Sequence, residues 1–424
     1  MDKVRRLAGI LSGILLIPLF ACCAGAGNNE RFDHTEGSSM ESETDQESRS
    51  DLSWETEPSA DNERDIVAYS KSINNRTENG IKKVAVETAV IFDPQDGDWT
   101  FSHGPNIVYF KGKFYVTYSS GVKNEDDCGQ RVMISSSEDG IVWSKPEVLL
   151  DSIQGEHSLC VLQASGLTAS DEVMTAFMTC GEYEKESLRA PNLRPLEDGT
   201  KNKYGLYMTT TDGVNWEPAE KMTFLLYRPQ QISSGRWIGM GPTLFPYTDD
   251  KNCNDMNSFR FAAVYLGNIK RYDGKISMVT ESKMYEAADG ILHMFYRTNT
   301  GVMWHSESYN SGFDWTEPYP TSFTNDGSMF EFGTLPDGRI FCVGNPTVGS
   351  GRNPLVLSLS ENGVDFDDQY ILRDEPYTLK YEGMYKGGVY AYPDTIVVGD
   401  YLYAVYSVHK EGISVTRISL ASLR

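Results

Sequence analysis

The chain has 424 residues and a formal net charge of −22 at pH 7. That length holds one large all-β domain or two ordinary ones, and the acidity excludes nucleic-acid binding through a basic face. Tyrosine, with 24 copies, leads a plentiful aromatic set that suits strands and sugar-facing surfaces rather than a helical bundle.

The N-terminus reads as an address. Lys3, Arg5 and Arg6 precede an apolar run from Leu7 to Phe20, too short for a comfortable membrane span and shaped like a signal peptide. It ends in "LFACC", which resembles a bacterial lipobox. The resemblance implies cleavage before Cys22, lipidation of Cys22 and an extracytoplasmic protein anchored to the bacterial membrane; with the box unused, the protein is secreted. Residues 1–22 are therefore assigned to the signal and 23–83 to a tether. "SSMESETDQESRSDLSWETEPSADNERD" is rich in Ser, Glu and Asp and too poor in aliphatics to offset the entropy of ordering. Cys128, Cys160, Cys180, Cys253 and Cys342 follow it, scattered and without C-x-x-C spacing. They read as small buried hydrophobes with at most an incidental disulfide, and no metal site or cofactor is expected.

From residue 84 to 424 the pattern is strands. An apolar strand, a tight turn and an aromatic-rich strand recur in "NIVYFKGKFYVTYSS", "SGLTASDEVMTAFMTC", "LFPYTDDKNCNDMNSFRFAAVYLG", "MYEAADGILHMFYRTN", "MFEFGTLPDGRIFCVGN" and "DTIVVGDYLYAVYSVH". Lys111-Gly112, Asp289-Gly290 and Asp337-Gly338 suit hairpin loops. Six units with irregular insertions predict an all-β fold, a six-bladed β-propeller, in preference to a sandwich of evenly spaced strands.

A second small motif recurs: "SSSEDGIVW" at 135–143, "TTTDGVNW" at 209–216, "SYNSGFDW" at 308–315 and "SLSENGVDF" at 358–366. A hydroxyl residue leads in, Asp139 or its counterpart accepts backbone N–H groups, Gly140 takes a positive φ and Trp143 folds back over the turn. These turns resemble degenerate Asp-boxes of bacterial neuraminidase repeats, S-x-D-x-G-x-T-W, and are structural rather than catalytic.

With the boxes in place, residues from about 95 to 420 resemble the sialidase superfamily. The resemblance implies a tyrosine nucleophile with a glutamate base, arginines holding a sugar carboxylate and an aspartic acid protonating the leaving group. "GGVYAYPDTIVVGDYLYAVYS" places Tyr392 at the nucleophile position, just before the last hairpin. "ESKMYEAADGILHMFYRTNTG" supplies Glu281 and Arg297, and "GSGRNPLVLSLSENG" supplies Arg352. For the acid, "SSGVKNEDDCGQRVMISSS" offers Asp126 or its neighbour Asp127, with Asp126 preferred. One position departs from the family. Where sialidases carry Arg-Ile-Pro before the first blade strand, "FSHGPNIVYF" has His103, shorter and only partly charged at neutral pH.

These residues imply a surface-anchored exo-acting glycosidase removing a terminal acidic sugar, sialic acid or a relative. A lyase or a uronate- or rhamnose-directed hydrolase on the same scaffold is the alternative, with His103 catalytic and His157 and Arg228 joining the site. A third reading is a glycan-binding lipoprotein without turnover.

Overall fold

The strand "IFCVG" at 340–344 is buried at every position, so it needs a packing layer on each face. Radial stacking of sheets supplies both. The computed structural model describes residues 73–76, 80–183, 200–240, 244–264 and 281–423. They form six sheets arranged as blades, antiparallel apart from one short parallel strand. Strands β1 (Lys82–Lys83) and β2 (Glu87–Phe92) come first in the chain. Blade I is β3 (Phe101–Phe110), β4 (Lys113–Gly121), β5 (Arg131–Ser137) and β6 (Glu147–Leu150); blade II is β7 (Val161–Ala169), β8 (Met174–Tyr183), β9 (Thr200–Thr210) and β10 (Glu220–Met222). Blade III is β11 (Tyr227–Gln231), β12 (Trp237–Met240), β13 (Leu244–Thr248) and β14 (Arg260–Ala263); blade IV is β15 (Ser282–Glu286), β16 (Leu292–Tyr296), β17 (Val302–Ser308) and β18 (Tyr319–Thr324). Blade V is β19 (Glu331–Thr334), β20 (Ile340–Gly344), β21 (Leu355–Ser360) and β22 (Asp368–Arg373); blade VI is β23 (Tyr390–Val398), β24 (Tyr401–Val408) and β25 (Gly412–Ser419). Strand β2 completes blade VI by pairing antiparallel with β25, so chain entry and chain exit close the ring together.

An apolar cluster lies in each seam between consecutive blades. On β24, Leu402, Ala404, Tyr406 and Val408 pack toward blade V, while Tyr403 and Val405 pack toward blade I. The period-two alternation of a strand thus divides its side chains between two neighbours. The five cysteines at 128, 160, 180, 253 and 342 are free thiols, four of them buried.

One sequence expectation needs correction, and one repeat unit differs in place from the others. The unit beginning at Leu244 pairs β13 with β14, the third and fourth strands of their blade, whereas the first pair of that blade is β11–β12. The tether was drawn to residue 83, yet the described part of it already belongs to the propeller. Ile73 is buried among Phe323 and Phe366, Asn74 exchanges backbone hydrogen bonds with Val364 and Phe366, and β1 pairs in parallel with β22. One buried isoleucine and two lysines paired with acids were too sparse a pattern to stand out from the acidic stretch. The signal, Cys22 and residues 23–72 lie outside the described residues.

The repeated turns fold as expected. Asp139 Oδ1 accepts from the Ile141 and Val142 amides (2.9 and 2.7 Å), Ser137 Oγ accepts from Gly140 N (2.9 Å), and Trp143 Nε1 donates to Gly140 O (3.1 Å). Asp212 repeats the pattern, and Asn310 and Asn362 do so with an amide oxygen. Their position gives them a larger role than edge turns. Each box sits against the preceding blade: Gly140 on Tyr403, Gly213 on Tyr115, Gly312 on Ile238 and Gly363 on Tyr285. The boxes staple one blade to the next.

A Cβ on Gly213, at φ 78°, would lie 2.1 Å from Tyr115 Oη, whereas one on Gly235, at φ 89°, meets nothing within 4 Å. Gly213→Ala is therefore expected to cost about 2–4 kcal/mol, a left-handed Cβ plus an overpacked seam. Gly235→Ala should cost only the backbone part, about 1–2 kcal/mol. Urea unfolding of the two variants reads the difference; equal costs would mean the box does not dock.

Candidate active site

The first strands of neighbouring blades run side by side around the axis, β23 beside β3, β3 beside β7 and β7 beside β11. In four of them the ladder slips: between His103 and Asn106, Ala164 and Gly166, Tyr227 and Gln230, and Ala391 and Asp394. A bulge re-aims a side chain that regular alternation would send into a seam. In three of these bulges a positive-φ residue precedes proline: Gly104 (φ 61°), Arg228 (φ 34°) and Tyr392 (φ 57°).

Tyr392 is turned this way onto Glu281, and its hydroxyl donates to Glu281 Oε1. Arg297 Nη1 lies 2.8 Å from Tyr392 Oη and 2.5 Å from Glu281 Oε2. Glu281 and Arg297 flank the β15–β16 hairpin, and the Arg297 amide bonds to the Glu281 carbonyl at 3.0 Å. That pairing brings residues 16 apart in sequence to one spot. Arg352 comes from the β20–β21 loop, with its guanidinium carbon 5.7 Å from the Tyr392 ring centre. Its backbone, at φ 65°, is fixed by a 2.7 Å bond from its amide to Asp326 Oδ2. His103, from the β3 bulge, packs its ring 4.1 Å from that of Tyr392. A pocket of about 190 Å³ joins His103, Asp126, Arg228, Glu281 and Tyr392.

The two aspartate candidates separate clearly. Asp126 lines the pocket, and its Oδ1 accepts from Gln163 Nε2 at 2.6 Å. Asp127 instead caps its own loop, accepting from Asn124 N and Nδ2 at 2.8 and 3.2 Å. His157 does not line the pocket; its backbone amide bonds to Glu182 and its ring faces Glu156 at 3.9 Å. Arg228 lines the pocket but spends its guanidinium on backbone, donating to Pro393 O (2.7 Å) and Pro105 O (2.8 Å). It clamps the residue after Tyr392 to the second residue after His103. Glu125, beside Asp126, was not singled out in the sequence; it lines the pocket in a 2.8 Å ion pair with buried Lys410.

The electrostatics divide the proton between the Tyr392–Glu281 pair in a definite way. Burial raises the Tyr392 phenol above its ordinary value; Arg297 and Arg352 oppose that, and Glu281 and Glu125 add to it. Burial would also raise Glu281, but the charge of Arg297, hydrogen bonds from Tyr392 and Arg297, and the charge of Arg352 hold it below the usual range. The resting pair is a neutral phenol donating to an ionised carboxylate. At His103, Ser407 Oγ lies 2.8 Å from Nδ1 and 3.1 Å from Ala391 O. Ser407 thus links the His103 ring to the backbone of the residue before Tyr392.

The sequence matches the BNR repeat-like domain over residues 76–404. The chain belongs to the BNR repeat-like domain family. Among solved structures, this BNR repeat-like protein is similar to a sialidase, with 18% identity and a TM-score of 0.61 over 82% of this chain and 35% of that one. It therefore spans about a third of that protein's length. A Dyadobacter fermentans protein of unknown function matches at 16% identity and TM-score 0.59, covering 80% of this chain and 99% of that one. The intramolecular trans-sialidase of Ruminococcus gnavus, solved with oseltamivir carboxylate, matches at 14% and 0.57, covering 79% and 98%. No curated protein sequence matches the chain. At these identities the likeness establishes the propeller fold.

Removing the Arg228 guanidinium leaves two buried carbonyls without their donor. Arg228→Met is expected to lower unfolding free energy by about 2–6 kcal/mol, from about 1–3 kcal/mol per orphaned group. Chemical denaturation measures it; a loss under about 0.5 kcal/mol would mean the clamp is dispensable.

Proposed function

We propose that this protein is an exo-acting glycoside hydrolase that removes a terminal acidic sugar, sialic acid or a close relative, with Tyr392 as nucleophile. The observation that carries this reading is the cluster of Tyr392, Glu281 and Arg297 beside Arg352. A sugar bearing a carboxylate on its anomeric carbon repels an anionic nucleophile but not a neutral phenol. Arg297 and Arg352 present forked donors to that carboxylate. As the glycosidic bond breaks, the phenol oxygen bonds the anomeric carbon and its proton passes to Glu281, while Asp126 protonates the departing oxygen. Water then attacks the glycosyl-tyrosine, its proton going to Asp126, and the phenol recovers its proton from Glu281. The sialidase and trans-sialidases among the similar structures favour the same substrate class. Anchoring through Cys22 would place this activity at the cell surface.

His103 stands where the family carries an arginine, and it offers no guanidinium fork to a sugar carboxylate. His103→Arg should lower KM for an anionic sugar, and His103→Ala should raise it. A KM unchanged in both variants would remove His103 from substrate binding.

The ring contact of His103 with Tyr392 also supports the lyase or uronate- or rhamnose-directed reading, in which the two form a proton-transfer pair. Assays on a fluorogenic sialoside and on uronate- and rhamnose-capped glycans, with ultraviolet absorbance followed for an unsaturated product, separate the readings. Sialoside release is expected, abolished in Tyr392→Phe and reduced about 10²–10⁴-fold in Glu281→Gln. Asp126→Asn should lose far more on a natural glycoside than on an activated aryl one. Ultraviolet-absorbing product without sialoside release would favour the lyase; binding without turnover would favour a glycan receptor.

A further inference from the structure

The seam between blades IV and V is apolar and rich in aromatic rings. Phe295, Phe323, Phe330, Phe332 and Phe366 pack there. Three polar side chains interrupt it. His293 on β16 stands directly opposite Glu307 on β17, and His305 is two residues before Glu307 on the same face. His293 Nδ1 lies 3.0 Å from His305 Nε2 and 3.7 Å from Glu307 Oε1. All three ligand-capable atoms fall within 4.8 Å of one another.

We propose that His293, His305 and Glu307 bind one divalent transition-metal ion, with zinc the best fit. An imidazole nitrogen has a single hydrogen-bonding site, yet His293 Nδ1 faces both an imidazole nitrogen and a carboxylate oxygen. A cation placed among the three is within reach of all of them. A tetrahedral ion with ligands at 2.0–2.1 Å sets its donors about 3.3 Å apart, against 3.0 and 3.7 Å for two of the separations and no more than 4.8 Å for the third. Two imidazoles and a carboxylate suit zinc, copper or nickel better than calcium or magnesium, which prefer all-oxygen shells.

The surroundings support a fixed site. The Tyr309 hydroxyl bonds Glu307 Oε2, which leaves Oε1 for the ion and orients the carboxylate. The Tyr285 ring stacks on His293 at 4.8 Å. His305 is fully buried, while the His293 and Glu307 side chains are 16% and 13% exposed, enough for water to complete the shell. No sequential metal motif announces the trio, because the register of β16 against β17 assembles it. The ion would cross-link these strands behind Tyr285, whose hydroxyl holds the blade V box at Gly363 O (2.7 Å). Its function is a structural cross-link of the blade that carries Glu281 and Arg297.

The test is uptake of Co²⁺ and then Zn²⁺ by the purified, chelator-treated full chain, followed by calorimetry, visible absorption and the melting temperature. About one equivalent should bind, with a cobalt d–d band, no thiolate charge-transfer band and a raised melting temperature. Glu307→Gln and His293→Gln should each weaken binding at least tenfold. No uptake by the parent protein, a thiolate band placing the ion on cysteines, or equal uptake in both variants would overturn the proposal. The parent measurements decide even if a variant fails to fold.

Discussion

Everything at the axis depends on bulged inner strands. A regular β23 would direct alternate side chains into the seams on either side, and Tyr392 could not reach Glu281 across the ring. The slip between Ala391 and Asp394 turns it inward at a positive φ that tyrosine rarely adopts. Such a backbone persists only where its surroundings over-determine it. Here Pro393 follows the strained residue, and Arg228 grips the Pro393 carbonyl from blade III. The same guanidinium grips Pro105, so blades I, III and VI meet in one side chain.

The clamp explains how a site built from separate blades keeps its geometry. Glu281 and Arg297 come from one hairpin, Arg352 from a loop of the next blade, Tyr392 from the last and His103 from the first. Tyr392 is the one side chain among these that meets the rest; rigidity passes through apolar seams and through box turns that dock each blade on its neighbour. Burial has an electrostatic consequence as well. The two arginines hold Glu281, half-buried beside a phenol, below the usual carboxylate range. A second ion pair, Glu125 with Lys410, adds negative charge near the tyrosine without competing for its proton.

Much of this was legible in the residues. Four turns with a glycine and a trailing aromatic, alternating with apolar hairpins, imply blades, and strand order at the site follows chain order. Five of the six hairpin units are inner pairs. The exception, from Leu244, is an outer pair whose β13 is apolar, while the inner pair of that blade carries "YRPQQ" and looks like a loop. Tyr392, Glu281, Arg297, Arg352, His103 and Asp126 were named from motif order and line or adjoin one pocket. The choice between Asp126 and Asp127 depends on which carboxylate caps the loop, a matter of backbone conformation. His157 fell outside because its loop is held by Glu182. Arg228 was grouped with the site for its charge, but its carbonyl partners lie over a hundred residues away. The recurring residue-proline pair in "HGPN", "YRPQ" and "AYPD" was the available signal for the bulges, visible only once those segments are known to be equivalent strands.

The central claim is that Tyr392 bonds the anomeric carbon. The most direct measurement is intact-protein and peptide mass spectrometry after incubation with a fluorinated sialosyl fluoride. Its ring fluorine slows breakdown of any glycosyl-enzyme, while its fluoride leaving group keeps formation possible. The account predicts one added sialosyl group per chain, mapped to Tyr392 and absent in Tyr392→Phe. Consumption of the donor with the label on another residue, or with no covalent species at any time, would contradict it.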